Sequence, residues 1–142
     1  MKGPVKKPHF HVTAGLIQQD GLLLITQRPA GRHLEGLWEF PGGKQETDES
    51  LENCLEREIE EELGMKVRAE KALLTVAHEY RTQMITLHVF GCAVLEGKPE
   101  SLECQKFRWV KPSHLGEYAF APADMKVIKL FELRDLIPEE AG

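Results

Sequence analysis

The stretch from Gly43 to Met65 constrains this chain more than any other. Read as a helix at about 100° per residue, Leu51, Cys54, Leu55 and Ile59 share one apolar arc. Glu58 and Glu62 fall inside that arc, and Glu61 lies at its edge. Ionised carboxylates do not belong on a core-facing stripe, because each costs several kcal/mol to desolvate. Three of them within one turn also repel one another, which raises their pKa values. A cation must compensate, and clustered carboxylate oxygens suit a hard divalent ion such as Mg²⁺, with Mn²⁺ as a substitute. Glu52, Glu56 and Glu60 point away from the arc and are expected to face solvent.

With 142 residues the chain is long enough for one domain whose core needs no disulfide or structural metal. At 42% hydrophobic and 29% charged residues it reads as globular. No apolar run approaches the ~18 residues that would span a bilayer. The opening Met1-Lys-Gly-Pro-Val-Lys-Lys-Pro has no apolar stretch behind it to act as a signal peptide. Cys54, Cys92 and Cys104 are odd in number and far apart, and read as reduced thiols of a cytoplasmic protein. A net charge of −5 argues against a binder of nucleic-acid polymers. It allows a small anionic substrate, whose phosphates a divalent ion and a few basic side chains neutralise locally. Monomer and dimer are both open at this stage.

Residues 1–8 are expected to be a flexible arm, residues 9–137 a single domain and residues 138–142 a tail. His9 to Gln18 reads as a strand, Asp20-Gly21 as a hairpin turn, and Gly21 to Arg28 as a buried strand. A loop follows from Pro29 to Gly36, then a short extended piece at Leu37–Phe40 stopped by Pro41-Gly42-Gly43. The acidic helix is expected from about Asp48 to Leu63, with Thr47 or Asp48 as N-cap and Gly64 ending it at positive φ. Extended segments follow near Met65–Tyr80 and Met84–Leu95, with a short strand at Phe107–Val110. A last helix starts near Pro122 and carries Val127, Leu130, Phe131 and Arg134 at helical spacing. This pattern predicts an α/β fold with a mixed β-sheet covered by helices on both sides.

Gly43, five residues, Glu49, seven residues and then Arg57-Glu58-Ile59-Glu60-Glu61-Glu62-Leu63-Gly64-Met65 reproduce the Nudix box in full, and the chain resembles the Nudix hydrolase family. From average residue usage such a match arises by chance on the order of 10⁻⁹ per start position. The resemblance implies an α/β/α sandwich and a metal-dependent attack of water on a diphosphate linked to another group. The residues read the same way on their own. Glu58, Glu61 and Glu62, at i, i+3 and i+4, project together. Arg57 sits one turn before Glu61 and can hold its carboxylate, and Glu49 can brace the cluster through Arg57. Gly42 and Gly43 let backbone approach closely, which makes the Gly43 carbonyl a further candidate ligand.

Outside the box the chain is similar to the MutT branch, whose members remove oxidised guanine nucleotides from the precursor pool. The similarity runs from about Phe10 to Leu130, through Ile25-Thr26-Gln27-Arg28, Glu39-Phe40-Pro41-Gly42-Gly43-Lys44, Glu103 with Arg108-Trp109, and Phe120-Ala121-Pro122-Ala123-Asp124. It implies a nucleoside triphosphate pyrophosphohydrolase that acts on nucleotides such as 8-oxo-dGTP and releases a monophosphate and pyrophosphate. It also implies Glu58 as general base, oriented by Arg57 with Glu49 beside it. The implied metal ligands are Glu58, Glu61, Glu62, the Gly43 carbonyl and Glu103. The implied substrate contacts are Arg28, Phe40, Gly42, Lys44, Tyr80 and Asp124. Taken singly, Glu103 is equally an exposed loop carboxylate, Arg28 a surface arginine at a strand end, Phe40 a core residue and Asp124 a helix cap.

Two base preferences stay open. Asp124 stands where the bacterial MutT-type enzyme carries an Asn that reads the oxidised purine. An ionised Asp only accepts hydrogen bonds, whereas a protonated one imitates part of the Asn pattern. The same Asp, with Gly36-Leu37-Trp38-Glu39-Phe40, also resembles the branch acting on CTP and modified pyrimidine nucleotides, where an acceptor suits the cytosine amine. Gln83 stands where the MutT enzyme has an arginine near the base. A non-catalytic nucleotide-binding module is the remaining alternative, and such modules lose box carboxylates that this chain keeps. His9 and His11 share a strand face without a third ligand nearby, which argues against zinc. The other histidines read as surface or packing residues, and Trp38 and Trp109 as core anchors.

Overall fold

Asp20 and Gly21 adopt φ of 52° and 77° and reverse the chain between β1 (His9–Gln19) and β2 (Leu22–Gln27). Two residues at positive φ are what a tight hairpin matched to strand twist requires. The computed structural model that shows this describes residues 6–134. Most of the expected arm, the end of the expected domain and the expected tail lie outside the described residues.

Only Gln18↔Leu23 and Gln19↔Leu22 register β1 with β2. β1 instead runs parallel to β5 (Met84–Glu96), from His9↔Met84 to Ile17↔Cys92. β4 (Lys66–Glu79) covers the far side of β5 in antiparallel register. β2 takes β3 (Trp38–Glu39) and β6 (Lys106–Val110) as antiparallel partners. The sheet is therefore mixed, in the order β3-β2-β1-β5-β4, with β6 added on β2.

Successive strand residues point to opposite faces, and both faces are apolar. Leu24, Ile17 and Phe90 meet Leu55, Ile59 and Leu63 of α1 (Leu51–Leu63) on one side. Leu23, Ile25, Leu16, Leu87 and Val89 meet Val127 and Phe131 of α2 (Pro122–Arg134) on the other. This is the predicted arrangement of helices on both sides of a mixed sheet. Trp38 and Trp109 pack beside these two cores, as expected of anchors. Among the described residues no helix is long and apolar enough to cross a membrane.

Three details depart from the sequence reading. The N-cap of α1 is Ser50, whose Oγ accepts from the Asn53 amide at 3.0 Å, and not Thr47 or Asp48. Asp48 sits at φ 63°, and Glu49 is committed to Arg57 before the helix begins. Glu56 does not simply face solvent, since its carboxylate accepts from the Ala69 amide at 2.9 Å and pins α1 to β4. The extended segment expected near Met65–Tyr80 is observed as β4, 14 residues long with three register shifts. Such irregularities break strict alternation, which is why its strand character is weak in the sequence. A 3₁₀ turn at Pro112–Glu117 was not foreseen and is held by buried Leu115.

Removing the Ser50 cap is expected to destabilise the fold by about 1 kcal/mol. Urea denaturation of Ser50→Ala checks this, with Thr47→Ala expected to stay within about 0.5 kcal/mol of the parent chain.

Candidate active site

After β3 the chain passes along β1 and delivers Gly42 and Gly43 to the flank of α1. The Gly15 amide donates to Pro41 O at 2.8 Å, the Thr13 amide to Gly43 O at 2.8 Å and the Gln45 amide to His11 O at 2.9 Å. No side chain fits at the two glycines. A Cβ on Gly42 would run into the Thr13 carbonyl, and one on Gly43 would overlap the Glu58 carboxylate.

Arg57 organises the acids around this turn. Its Nε and Nη2 donate to the two oxygens of Glu49 at 2.6 and 3.0 Å. Nη1 donates to Glu58 at 3.0 Å and to Glu61 at 3.1 Å, and Nη2 also reaches the Lys44 carbonyl at 3.2 Å. Hydrogen bonding to Arg57 holds the Glu49 carboxyl down at about 2. Burial pushes Glu58 up against the pull of Arg57, and the charges of Glu61 and Glu103 add to the rise. Glu62 lies well above the usual carboxylate range, through burial first and then the charge of Glu39. Its carboxylate accepts from the Gly42 amide at 3.3 Å.

Glu103 reaches the cluster because its loop closes the C-terminal end of α1. Glu100 donates its amide to Leu63 O at 2.9 Å, and Leu102 and Glu103 donate theirs to Glu62 O at 3.0 and 3.3 Å. These are carbonyls that a helix end leaves without intrahelical partners.

A cavity of about 440 Å³ opens in front of the acids, large enough for a nucleotide. Glu58, Glu62, Glu103, Gly42, Gly43 and Lys44 line one part of it, and Arg28, Phe40, Tyr80 and Asp124 line another. Glu49, Arg57 and Glu61 are not among the lining residues and brace the cluster from outside. Asp124 is 6% exposed and accepts from the Phe40 amide at 3.0 Å, so its carboxylate spans the cavity wall as well as opening α2. Burial, then the charge of Glu39, pushes it well above the usual range. Arg28 lies 3.4 Å from both Glu39 oxygens and donates from Nε to His33 O at 2.7 Å. The Tyr80 hydroxyl accepts from the Ala123 amide at 3.3 Å, and its ring meets His33 edge-on at 5.2 Å. Lys44 Nζ rests 3.9 Å over the Phe10 ring.

One expected ligand needs correction. The Gly43 carbonyl is turned toward β1, where it accepts from the Thr13 amide at 2.8 Å, the Thr13 hydroxyl at 3.2 Å and Cys54 Sγ at 3.5 Å. An oxygen shared by three donors has little left for an ion. The Gly42 carbonyl accepts no hydrogen bond among the described residues. Thr13 and Glu39 are among the cavity residues that escaped the sequence reading. Burial, opposed by Arg28, brings the Glu39 carboxyl to about 7. A carboxylate between Trp38 and Phe40 in a short strand was the available signal.

Among the described residues no three acidic, histidine or cysteine side chains close around one point that could hold an ion by themselves. Glu58, Glu62 and Glu103 nonetheless line one cavity, where burial first and then neighbouring carboxylate charge, that of Glu103 included, raises the pKa values of Glu58 and Glu62. Such hard oxygen donors fit a Mg²⁺-type ion that completes its shell with water and substrate phosphate. The structure also sets His88 beside His11, Nε2 to Nδ1 at 2.9 Å, while His9 Nε2 lies 2.7 Å from Thr86 Oγ1. These ring nitrogens are occupied by one another and by the threonine.

The NUDIX domain profile matches residues 12–130. The CTP pyrophosphohydrolase of Escherichia coli (strain K12) is 37% identical over 122 residues, 86% of this chain and 90% of that protein. The 8-oxo-dGTP diphosphatase of Proteus vulgaris is 43% identical over 98 residues, 68% of this chain and 86% of that protein. The solution structure of the E. coli ORF135 protein superposes with a TM-score of 0.80 at 35% identity, covering 96% of this chain and 99% of that one.

The cavity acids set a pH dependence. Glu39 keeps its proton to higher pH in the folded chain than in the unfolded one. Its contribution to stability is complete below the ordinary 4.5 and is lost as pH rises through about 7, and Asp124 shifts in the same direction. Glu49 acts in the opposite sense, but its window lies between 4.5 and about 2 and does not overlap. His78 and His88, whose pKa values burial lowers from 6.5, act in the opposite sense below that pH, so the urea midpoint is expected to fall between about pH 6.5 and about pH 8. Glu39→Gln is expected to flatten that profile, and a midpoint that rises across the window would contradict the assignment.

Proposed function

The chain belongs to the NUDIX family, and from that premise we propose that it is a divalent-cation-dependent nucleoside triphosphate pyrophosphohydrolase of MutT type, releasing a nucleoside monophosphate and pyrophosphate. One observation carries this reading. The half-buried pair Glu58 and Glu62, pressed on a diglycine turn, shares a single cavity with the buried acceptor Asp124. The acids suit the polyphosphate end of a nucleotide and Asp124 the base end.

Glu58, Glu62 and Glu103 would hold the cation, and the Gly42 carbonyl is a further oxygen beside them. Bound there, Mg²⁺ or Mn²⁺ supplies charge neutralisation and polarises a phosphoryl oxygen. Glu58 acts as the general base. Burial raises its proton affinity, which suits it to take a proton from the attacking water near neutral pH. Arg57 fixes its orientation from Oε1. Glu49 immobilises the guanidinium through Nε and Nη2, and Glu61 shares Nη1 with Glu58. Lys44 meets the phosphates at the cavity mouth. Arg28 stays with Glu39 and shapes the base end.

The oxidised purine of 8-oxo-dGTP is the base we favour. Asp124 is held toward its protonated form, which both donates and accepts and so takes the place of an amide at a purine edge. A second reading is favoured by the 37% identity to a CTP pyrophosphohydrolase. Here an ionised Asp124 or Glu39 accepts from the cytosine amine.

Glu58→Gln is expected to lower turnover on the order of 10²–10⁴-fold, with little change in the urea midpoint. Pyrophosphate release by the parent chain is expected to require Mg²⁺ and to stop with chelator. Near-normal turnover in Glu58→Gln would overturn the assigned base. A kcat/KM panel over 8-oxo-dGTP, dGTP, CTP and 5-methyl-dCTP decides the substrate. Asp124→Asn separates the two readings, because it is expected to keep 8-oxo-dGTP turnover and to lose CTP turnover.

A further inference from the structure

Beneath the diglycine turn lies a buried polar knot that is not part of the cavity's acid cluster. Thr13 is 1% exposed and Cys54 is 0% exposed. Thr13 makes three bonds to one residue. Its amide donates to Gly43 O at 2.8 Å, its hydroxyl donates to the same oxygen at 3.2 Å, and that hydroxyl oxygen lies 3.4 Å from the Gly43 amide that donates to it. Cys54 Sγ lies 3.5 Å from both the Gly43 carbonyl oxygen and the Thr13 hydroxyl. Both polar groups of the Gly43 backbone are therefore committed to β1 and α1.

The opposite side of the same turn carries the acids. The Glu58 carboxylate lies against Gly43 so closely that no Cβ fits, and the Gly42 amide donates to Glu62 Oε2 at 3.3 Å. The turn is a plate two residues wide, fastened below by Thr13 and Cys54 and bearing Glu58 and Glu62 above. We propose that Thr13, seconded by Cys54, is a positioning residue for the cation-binding carboxylates, acting through the Gly43 peptide. This rests on the reading of Glu58 and Glu62 given under the proposed function.

The physical reason is one of tolerance. A displacement of about 1 Å in a catalytic constellation is enough to cost about 10²-fold in rate. Thr13 reaches the acids through the Gly43 peptide and, by its contact with Cys54, through α1, and glycine backbone is pliable unless bonded. Loss of the hydroxyl leaves the Gly43 amide without its acceptor and the Cys54 thiol with one partner fewer.

The test measures Mn²⁺ binding by electron paramagnetic resonance, with Mn²⁺ alone and with Mn²⁺ plus α,β-methylene-dGTP, alongside steady-state kinetics. Thr13→Val keeps the shape and removes the hydroxyl. It is expected to weaken Mn²⁺ binding and to lower kcat, each by about 10-fold or more, with a smaller change in KM. Thr13→Ser restores the hydroxyl and is expected to stay within about twofold of the parent chain, against the 10–100-fold range typical of lost supporting contacts. If Thr13→Val does not fold, Thr13→Cys carries the test, with a weaker shift of the same sign. A lowered melting temperature with unchanged Mn²⁺ affinity and kcat would overturn the proposal and leave Thr13 a purely structural residue. Failure of the parent chain itself to bind Mn²⁺ would overturn the underlying reading of the acids as well.

Discussion

A single guanidinium stands among more carboxylates than it can neutralise, and the rest of the site follows from that shortfall. Arg57 satisfies Glu49 with two hydrogen bonds and gives one each to Glu58 and Glu61. Among the described residues nothing positive is bonded to Glu62, whose carboxylate accepts from the Gly42 backbone amide. A fold that merely sought stability would not keep such an acid on the buried arc of its central helix, since unpaired buried charge is among the costliest things a chain can carry. The arrangement makes sense when a ligand brings the missing positive charge.

The sheet topology explains how these groups meet. The parallel pairing of β1 with β5 leaves β1 free, near Thr13, to receive the backbone of residues 41–45 along its other edge. That places the diglycine turn between the sheet and α1. The loop after β5 uses the exposed carbonyls of α1 as its anchor, and so carries Glu103 to the same cavity. α2 presents Asp124 from the opposite face of the sheet to the amide of Phe40. The diglycine turn, the Glu103 loop and Asp124 are thus held by backbone hydrogen bonds as well as by packing, a form of preorganisation that costs little to maintain during turnover.

Much of this was legible in the residues. The 3.6-residue period of α1 exposed Glu58 and Glu62 as misplaced acids, and the buried strand expected at Gly21–Arg28 under helices on both sides agrees with Leu23 and Ile25 in one core and Leu24 in the other. Other features were out of reach for physical reasons. The N-cap moved to Ser50 because Glu49 is recruited by a residue two turns later, a tertiary preference that overrides local capping propensity. The direction of the Gly43 carbonyl depends on a partner thirty residues earlier and cannot be inferred from the turn alone. Glu39 reads as an ordinary strand residue until Arg28 and Asp124 are placed around it. Glu56 looks solvent-facing by angle, yet β4 passes close enough to offer it an amide.

The central claim is that the acids beside the diglycine turn bind a divalent ion against a polyphosphate. The most direct measurement is anomalous diffraction at the manganese edge from crystals grown with Mn²⁺ and a non-hydrolysable nucleoside triphosphate. The account requires an anomalous peak in contact with Glu58 or Glu62 and with a phosphate oxygen, with the base beside Asp124. Nucleotide bound in the cavity with no manganese at those carboxylates, or manganese bound only elsewhere, would contradict it.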